Sequence, residues 1–252
     1  MMHQGFIDRA NASDKGLLGT WLKIPAFETV ELLAHAGLNF VVIDMEHSPL
    51  GLQQASEMIF AAQSTGMSAL VRLPDHLGTQ IQPLLDAGAD GLLVPRVASI
   101  SDAKAIASAM VFGPEGDRGL GFTSRAGRWG LMPLPDYLEH GDKQCLRMIQ
   151  LEEWSCLEAA AEFASLAHVN GLFVGLGDLY LSSGKTSASP EVQALIQQVL
   201  ASTKEAGILS GIAANTSEEA KKYLDQGFSI VMVSNDATLF GRAAKELVEA
   251  CQ

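Results

Sequence analysis

This chain has little cysteine, little positive charge and no long apolar run, and each shortage removes a class of protein. Its three cysteines, Cys145, Cys156 and Cys251, show no CxxC spacing. Neither a disulfide framework nor a zinc site is therefore expected, and a reducing cytoplasm suits them. Lysine and arginine number 17 against 29 acidic residues, for a formal net charge of −12. That balance leaves no basic footprint for nucleic acid or for an anionic membrane surface. No stretch approaches the roughly 18 uninterrupted apolar residues of a membrane span. The opening MMHQGFIDRANASDKG has no apolar run of signal-peptide length. A dinucleotide-type GxGxxG is missing too: Gly175-Leu-Gly177 and Gly119-Leu-Gly121 have the wrong spacing.

What is present is a 48% hydrophobic content over 252 residues, enough for one sizeable core. Short β-branched or apolar runs alternate with longer amphipathic stretches. The runs are 16–23, 39–45, 68–73, 91–97, 146–151, 171–175, 209–213 and 229–233. Helices are expected over 26–35, 52–64, 79–87, 102–110, 156–166, 190–206, 217–226 and 237–250, with Ser99 or Ser101 capping the fourth. Eight strand–helix units mean a parallel sheet, and at this length closure into a (β/α)8 TIM barrel is the common solution, as one domain over residues 1–252. An open doubly wound sheet is the alternative. The Gly-, Arg- and Pro-rich stretch 113–143 breaks the rhythm, with one helical patch near 135–140. A long insertion in so regular a chain is more often functional than idle.

In such barrels chemistry gathers where the strands end. The second run ends in Asp44-Met-Glu46-His47, the third in Arg72, the fourth in Pro95-Arg96, the fifth in Gln150-Leu-Glu152-Glu153 and the sixth in Gly175-Leu-Gly177-Asp178. So many charges in one mouth are costly unless they pair or bind a ligand. Glu152 and Asp178 suit a hard cation, because Mg2+ typically takes only one or two protein carboxylates. Equally, Glu152 and Glu153 could favour the positive start of the next helix, and Asp178 could cap its own. His47 is either a general base oriented by Asp44 or a satisfied histidine in a turn. Arg72 either holds a substrate carboxylate or oxyanion, or pairs with Asp44 or Glu46. The amides at Gly177 and Asp178 open a helix and could receive a carboxylate, or the glycine could only serve the turn. Lys23 is the one lysine placed for a Schiff base.

The segments FVVIDMEHSP, LVRLPD, LLDAGADGLLVPRV, PEGDRGLG with SRAGRWG, MIQLEE and VNGLFVGLGDL, in this order, resemble the HpcH/HpaI family. That resemblance runs from about Gly16 to the last helix, and several motifs together make it specific. It implies a class II pyruvate aldolase acting on 4-hydroxy-2-oxo acids or 2-dehydro-3-deoxy sugar acids, with a divalent cation (Mg2+, Mn2+ or Co2+). The partners it implies are a small 2-oxo acid and an aldehyde. Glu152 and Asp178 match the family's metal carboxylates, with Gln150 beside them on the substrate. His47 with Asp44 matches its general base, and Arg72 matches the arginine that steadies the pyruvate enolate. The amides of Gly177 and Asp178 match the pyruvate carboxylate site. Asp86 matches an acidic residue that approaches a neighbouring subunit's site, and Leu120 falls where the aldehyde pocket is shaped. The family commonly forms hexamers, trimers of dimers that exchange their C-terminal helices.

Three departures bear on substrate. Ser48 stands where glycine is usual, Leu176-Gly177 replaces a proline-containing approach to the aspartate, and Arg96 replaces Met, Phe or His. An added cation at Arg96 would favour an acidic or hydroxylated aldehyde, or would pair with Glu153 or Asp117. Two other functions remain open: a citrate-lyase-like enzyme acting on an acyl-CoA, and a non-catalytic 2-oxo-acid binding protein.

Overall fold

Runs such as FVVID and SALVR are apolar along both faces, so they are stable only with cover on both sides. In the computed structural model, which describes residues 5–252, they receive it by closing on themselves. Eight parallel strands pair in chain order, with the last hydrogen-bonded to the first. These are β1 (Leu17–Leu22), β2 (Phe40–Asp44), β3 (Ser68–Arg72), β4 (Gly91–Val94), β5 (Leu146–Leu151), β6 (Gly171–Val174), β7 (Leu209–Ala214) and β8 (Ile230–Asn235). The helices are α1 (Phe6–Asn11), α2 (Phe27–His35), α3 (Leu52–Ser64), α4 (Ile81–Asp86), α5 (Ile100–Ser108), α6 (Leu134–Gln144), α7 (Trp154–Glu158), α8 (Ala160–Ala164), α9 (Leu176–Ser183), α10 (Pro190–Ala206), α11 (Ser217–Gln226) and α12 (Asp236–Ala250). The expected (β/α)8 barrel is the observed one. No helix among the described residues is long and apolar enough to cross a membrane.

Two apolar layers follow from the two faces of each strand. Val41, Ile43, Val71 and Leu92 face outward against the helices, while Phe40, Val42, Leu70, Met148 and Phe173 fill the barrel. Sequence periodicity misses α1, whose six residues are too few to show a period. Its Phe6 is fully buried and meets Phe40 edge-on, with ring centroids 5.7 Å apart. Arg9 beside it donates to Ser68 Oγ at 2.8 Å and to Asn39 O at 3.3 Å, at the starts of β3 and β2. The helix therefore closes the amino end of the barrel.

Other boundaries differ from expectation for local reasons. The single helix expected over 156–166 is two, α7 and α8, because Gln198 Nε2 takes the Glu158 carbonyl at 2.7 Å and interrupts the helical ladder. Ser99, rather than Ser101, caps α5 by accepting from Asp102 N at 3.1 Å. In the insertion, the helical patch extends to the whole of α6, and two of the arginines have structural partners. Arg125 donates to Ala87 O at 2.8 Å and to Gln63 Oε1 at 2.9 Å. Arg118 lies 4.2 Å over the Phe112 ring and 3.5 Å from Asp86.

Replacing Phe6 with alanine should destabilise the barrel by about 3–5 kcal/mol. The shift of the urea midpoint, with an unchanged slope, would measure it; a shift below about 1 kcal/mol would mean that α1 is not part of the cooperative core.

Candidate active site

The strands end in charge, and the structure sorts those charges into two groups. On the β1–β3 side they neutralise one another. Asp44, fully buried at the end of β2, accepts from Arg72 Nε at 2.8 Å, from Arg72 Nη2 at 2.8 Å and from the Lys23 ammonium. The backbone N–H groups of Glu46 and His47 add two donors at 3.2 Å. Burial pushes the Asp44 carboxyl up, but the Arg72 and Lys23 donors outweigh it and leave the group at about 2. Arg72 also reaches Glu46 Oε2 with Nη1 at 3.2 Å, an ion contact rather than an aligned hydrogen bond. Its guanidinium lies 4.1 Å over the Trp21 ring.

On the β5–β6 side the charges do not balance. Glu152 is buried and accepts from Gln150 Nε2 and from Arg96 N at 2.8 Å. Arg96 adopts φ 56°, an unusual conformation for a side-chain-bearing residue, and the turn brings its N–H to Glu152. Burial first, and then the nearby charges of Asp178 and Glu46, push the Glu152 carboxyl up to about 7 against the Arg96 N–H. Gly175 permits this crowding: a Cβ there would stand 2.7 Å from Glu152 Cγ.

Asp178 does not cap its helix; Gly175 precedes α9 and Asp178 is its third residue. The first-turn amides of Leu176, Gly177 and Asp178 have no intrahelical acceptor. A cavity of about 540 Å3 joins Gln150, Gly177 and Asp178 to Arg72, His47 and Lys23. The Gln150 Oε1 beside it is buried and without a partner.

Among the described residues no group of three or more His, Cys, Asp or Glu side chains is placed to share an ion. Two neighbouring carboxylates, one of them raised in pKa, and an orphaned amide oxygen nevertheless match what a hard cation with a mostly water and substrate shell needs. The residues present fit such an ion.

Most of the sequence-derived residues meet at this mouth: Asp44, His47, Arg72, Gln150, Glu152, Gly177 and Asp178. One expected pairing does not form. The His47 imidazole does not touch Asp44, whose oxygens are occupied; its Nε2 lies 3.7 Å from Glu46 Oε2, and the side chain is half exposed. Arg96 pairs with neither Glu153 nor Asp117 but with Glu46, Nε to Oε1 at 2.9 Å. Lys23 is in an ion pair, whereas a Schiff-base lysine needs a neutral amine. Asp86 ends α4, which runs antiparallel to the strands, and so lies toward the amino end of the barrel with exposed Leu120 on the neighbouring insertion. Within one chain neither reaches the mouth. Glu46 and Lys23 are visible as charges in the sequence, but their partners depend on register.

A lowered carboxyl pKa adds stability above the unfolded value of 3.8 and loses it as pH falls through about 2. The shift at Asp44 corresponds to about 2 kcal/mol. Asp44→Asn should therefore be less stable than the parent at pH 7 by at least that amount, with the gap closing below pH 4. A gap independent of pH in urea titrations would show that the charge of Asp44 is not what matters.

Known proteins match nearly the whole chain in sequence and in fold. Residues 17–243 match the family described as HpcH/HpaI aldolase/citrate lyase. The chain is 34% identical over 233 residues to a 4-hydroxy-2-oxo-heptane-1,7-dioate aldolase of Shigella sonnei, covering 91% of this chain and 88% of that protein. It is 32% identical over 235 residues to a 2-dehydro-3,6-dideoxy-6-sulfogluconate aldolase of Pseudomonas putida, covering 92% and 91%. A solved HpcH/HpaI aldolase/citrate lyase family protein of Burkholderia cenocepacia superposes with a TM-score of 0.87 at 29% identity, over 96% of this chain and 97% of that one. With the barrel, the strand-end charges and these matches in agreement, the chain belongs to the HpcH/HpaI aldolase/citrate lyase family.

Proposed function

We propose that this protein is a divalent-metal-dependent aldolase that reversibly cleaves a 4-hydroxy-2-oxo acid into pyruvate and an aldehyde. The observation that carries the reading is the unbalanced carboxylate pair: Asp178 lines both the cavity of Arg72 and the α9 amides and the adjoining groove that Glu152 lines. Glu152 and Asp178 would hold Mg2+, Mn2+ or Co2+. Such an ion supplies Lewis-acid polarisation of the 2-oxo group and charge for the enolate that cleavage leaves.

The chain's own residues supply the rest. The α9 amides of Gly177 and Asp178 receive the pyruvate carboxylate, at the positive end of the helix. Arg72 uses two of its five N–H groups on Asp44 and sets Nη1 against Glu46 as an ion contact, and its remaining N–H groups would donate to the developing oxyanion. His47 takes the proton of the C4 hydroxyl in cleavage and returns it in synthesis. Glu46, rather than Asp44, is the carboxylate that faces its imidazole and stabilises the imidazolium. Gln150 orients Glu152 through Nε2, and its Oε1 has no protein partner. Trp21 and Phe173, 6.0 Å apart and edge-on, form an apolar floor.

A homo-oligomer completes the proposal. Leu239, Phe240, Leu247 and Val248 on α12 are exposed, and a neighbouring chain packed there, in a hexamer built as a trimer of dimers, would cover them. The same assembly would give Asp86 and Leu120 access to a second chain's mouth. Light scattering on the eluted protein should return six times the chain mass; a monomer would remove Asp86 and Leu120 from the site.

Pyruvate incubated in D2O with Mg2+ or Mn2+ should exchange its methyl protons, followed by NMR, and EDTA should stop it. Glu152→Ala and Asp178→Ala should lose the exchange; retention of full exchange in chelator would overturn the metal assignment. A proton on Glu152 competes with the cation, so Mn2+ affinity should fall about tenfold per pH unit below 7 and level off above it. A flat titration between pH 5 and 8 would exclude Glu152 as a ligand.

A further inference from the structure

One half of the cavity is accounted for by pyruvate; the other contains a cation with no assigned task. The cavity runs from Gln150, Gly177 and Asp178 to Asn215 and Asn235, at the ends of β7 and β8, with Lys23 at the end of β1 on its wall. Its other cation, Arg72, already faces two carboxylates. Arg96 does not line this cavity; it lines the adjoining groove with Glu152, Glu153 and Asp178, and its guanidinium is held by Glu46.

The Lys23 ammonium has three N–H groups. One meets Asp44 and a second meets His47 O at 3.1 Å. The side chain is 24% exposed and lines the cavity, and these two contacts leave one N–H of the ammonium without a protein acceptor. Its base is fixed, because Lys23 N donates to both oxygens of Asp236, at 2.9 and 3.1 Å, and Ile24 N to one of them at 2.8 Å. A charged donor held in place loses little freedom when it engages a ligand, so its contribution goes to affinity. Asn235 uses Oδ1 on Thr238 N at 2.8 Å, which leaves its amide NH2 as a neutral donor near by.

We infer that Lys23 is the specificity-determining residue of the acceptor half, its third N–H receiving an anionic end group (a carboxylate or a sulfonate) on the aldehyde. The inference rests on the aldolase reading above and deepens it: the favoured aldehydes are acids.

The test compares two four-carbon acceptors, 4-oxobutanoate and butanal, in addition to pyruvate by the parent, Lys23→Met, Lys23→Gln and Lys23→Arg. Glutamine keeps a hydrogen bond to Asp44 without the charge, so it guards against a methionine variant that fails to fold. The parent should prefer the acid aldehyde. Both uncharged variants should lose at least tenfold of that preference, mainly through weaker binding of the acid aldehyde rather than slower turnover, and arginine should restore most of it. An unchanged ratio of catalytic efficiencies, or equal losses with both aldehydes, would overturn the proposal and leave Lys23 as a support for Asp44. Methyl exchange of pyruvate in D2O, measured on the same parent protein, separates the two readings. If exchange is missing the aldolase reading falls, and calorimetric titration with succinate then decides on Lys23: weaker binding to the methionine and glutamine variants supports it, equal binding overturns it.

Discussion

The mouth of this barrel is organised around a single buried carboxylate. Asp44 has no exposure to solvent, and an isolated charge there would be prohibitive. It is tolerated because two cations and two backbone amides converge on it from β1, from β3 and from the turn that follows β2. The bidentate Arg72 contact fixes the plane of the guanidinium, and stacking on Trp21 fixes its height. Glu46 and His47 are then placed by the turn whose amides Asp44 holds. Removal of one partner from so buried a pair costs more than the pair itself gains, which is why these residues act as a unit.

Across the mouth the opposite principle operates. Glu152 sits among Asp178 and Glu46 with one backbone amide and one side-chain amide as local relief. A fold optimised for stability alone would have supplied a counter-charge. The contrast between a saturated half and a hungry half gives the cavity its polarity. In the proposed reaction the saturated half would offer fixed positive donors to anionic substrate oxygens, and the other half would hold the cation.

Much of this is legible in the sequence because strand ends are set by pattern. The eight apolar runs place Asp44, Arg72, Gln150, Glu152 and Asp178 at one end of a parallel sheet before any coordinate is known, and the observed bounds differ by only a few residues. What the pattern does not carry is partner choice. Asp44 pairs with Arg72 because β2 and β3 are in register at those two residues, and such pairing is a property of neighbouring strands rather than of spacing along the chain. The same reason explains why spacing along the chain points the imidazole of His47 at Asp44, whereas it lies toward Glu46. The six-residue α1 is invisible because it is shorter than two turns, although Phe6 makes it part of the core.

The grip of Asp236 on Lys23 has a consequence for how the chain reaches its native state. It joins the helix after the last strand to the end of the first strand, across a sequence separation of 213 residues. Thr20 makes a second link of the same span, donating to Val233 O at 2.8 Å. The β1–β8 seam is thus the most non-local pairing in the barrel, and its contacts cannot form until nearly all of the chain is available. Without that seam β1 pairs only with β2, and the unclosed sheet would have two unpaired strand edges. Asp236 spans that seam at the mouth, so barrel closure also fixes the backbone from which the Lys23 side chain extends.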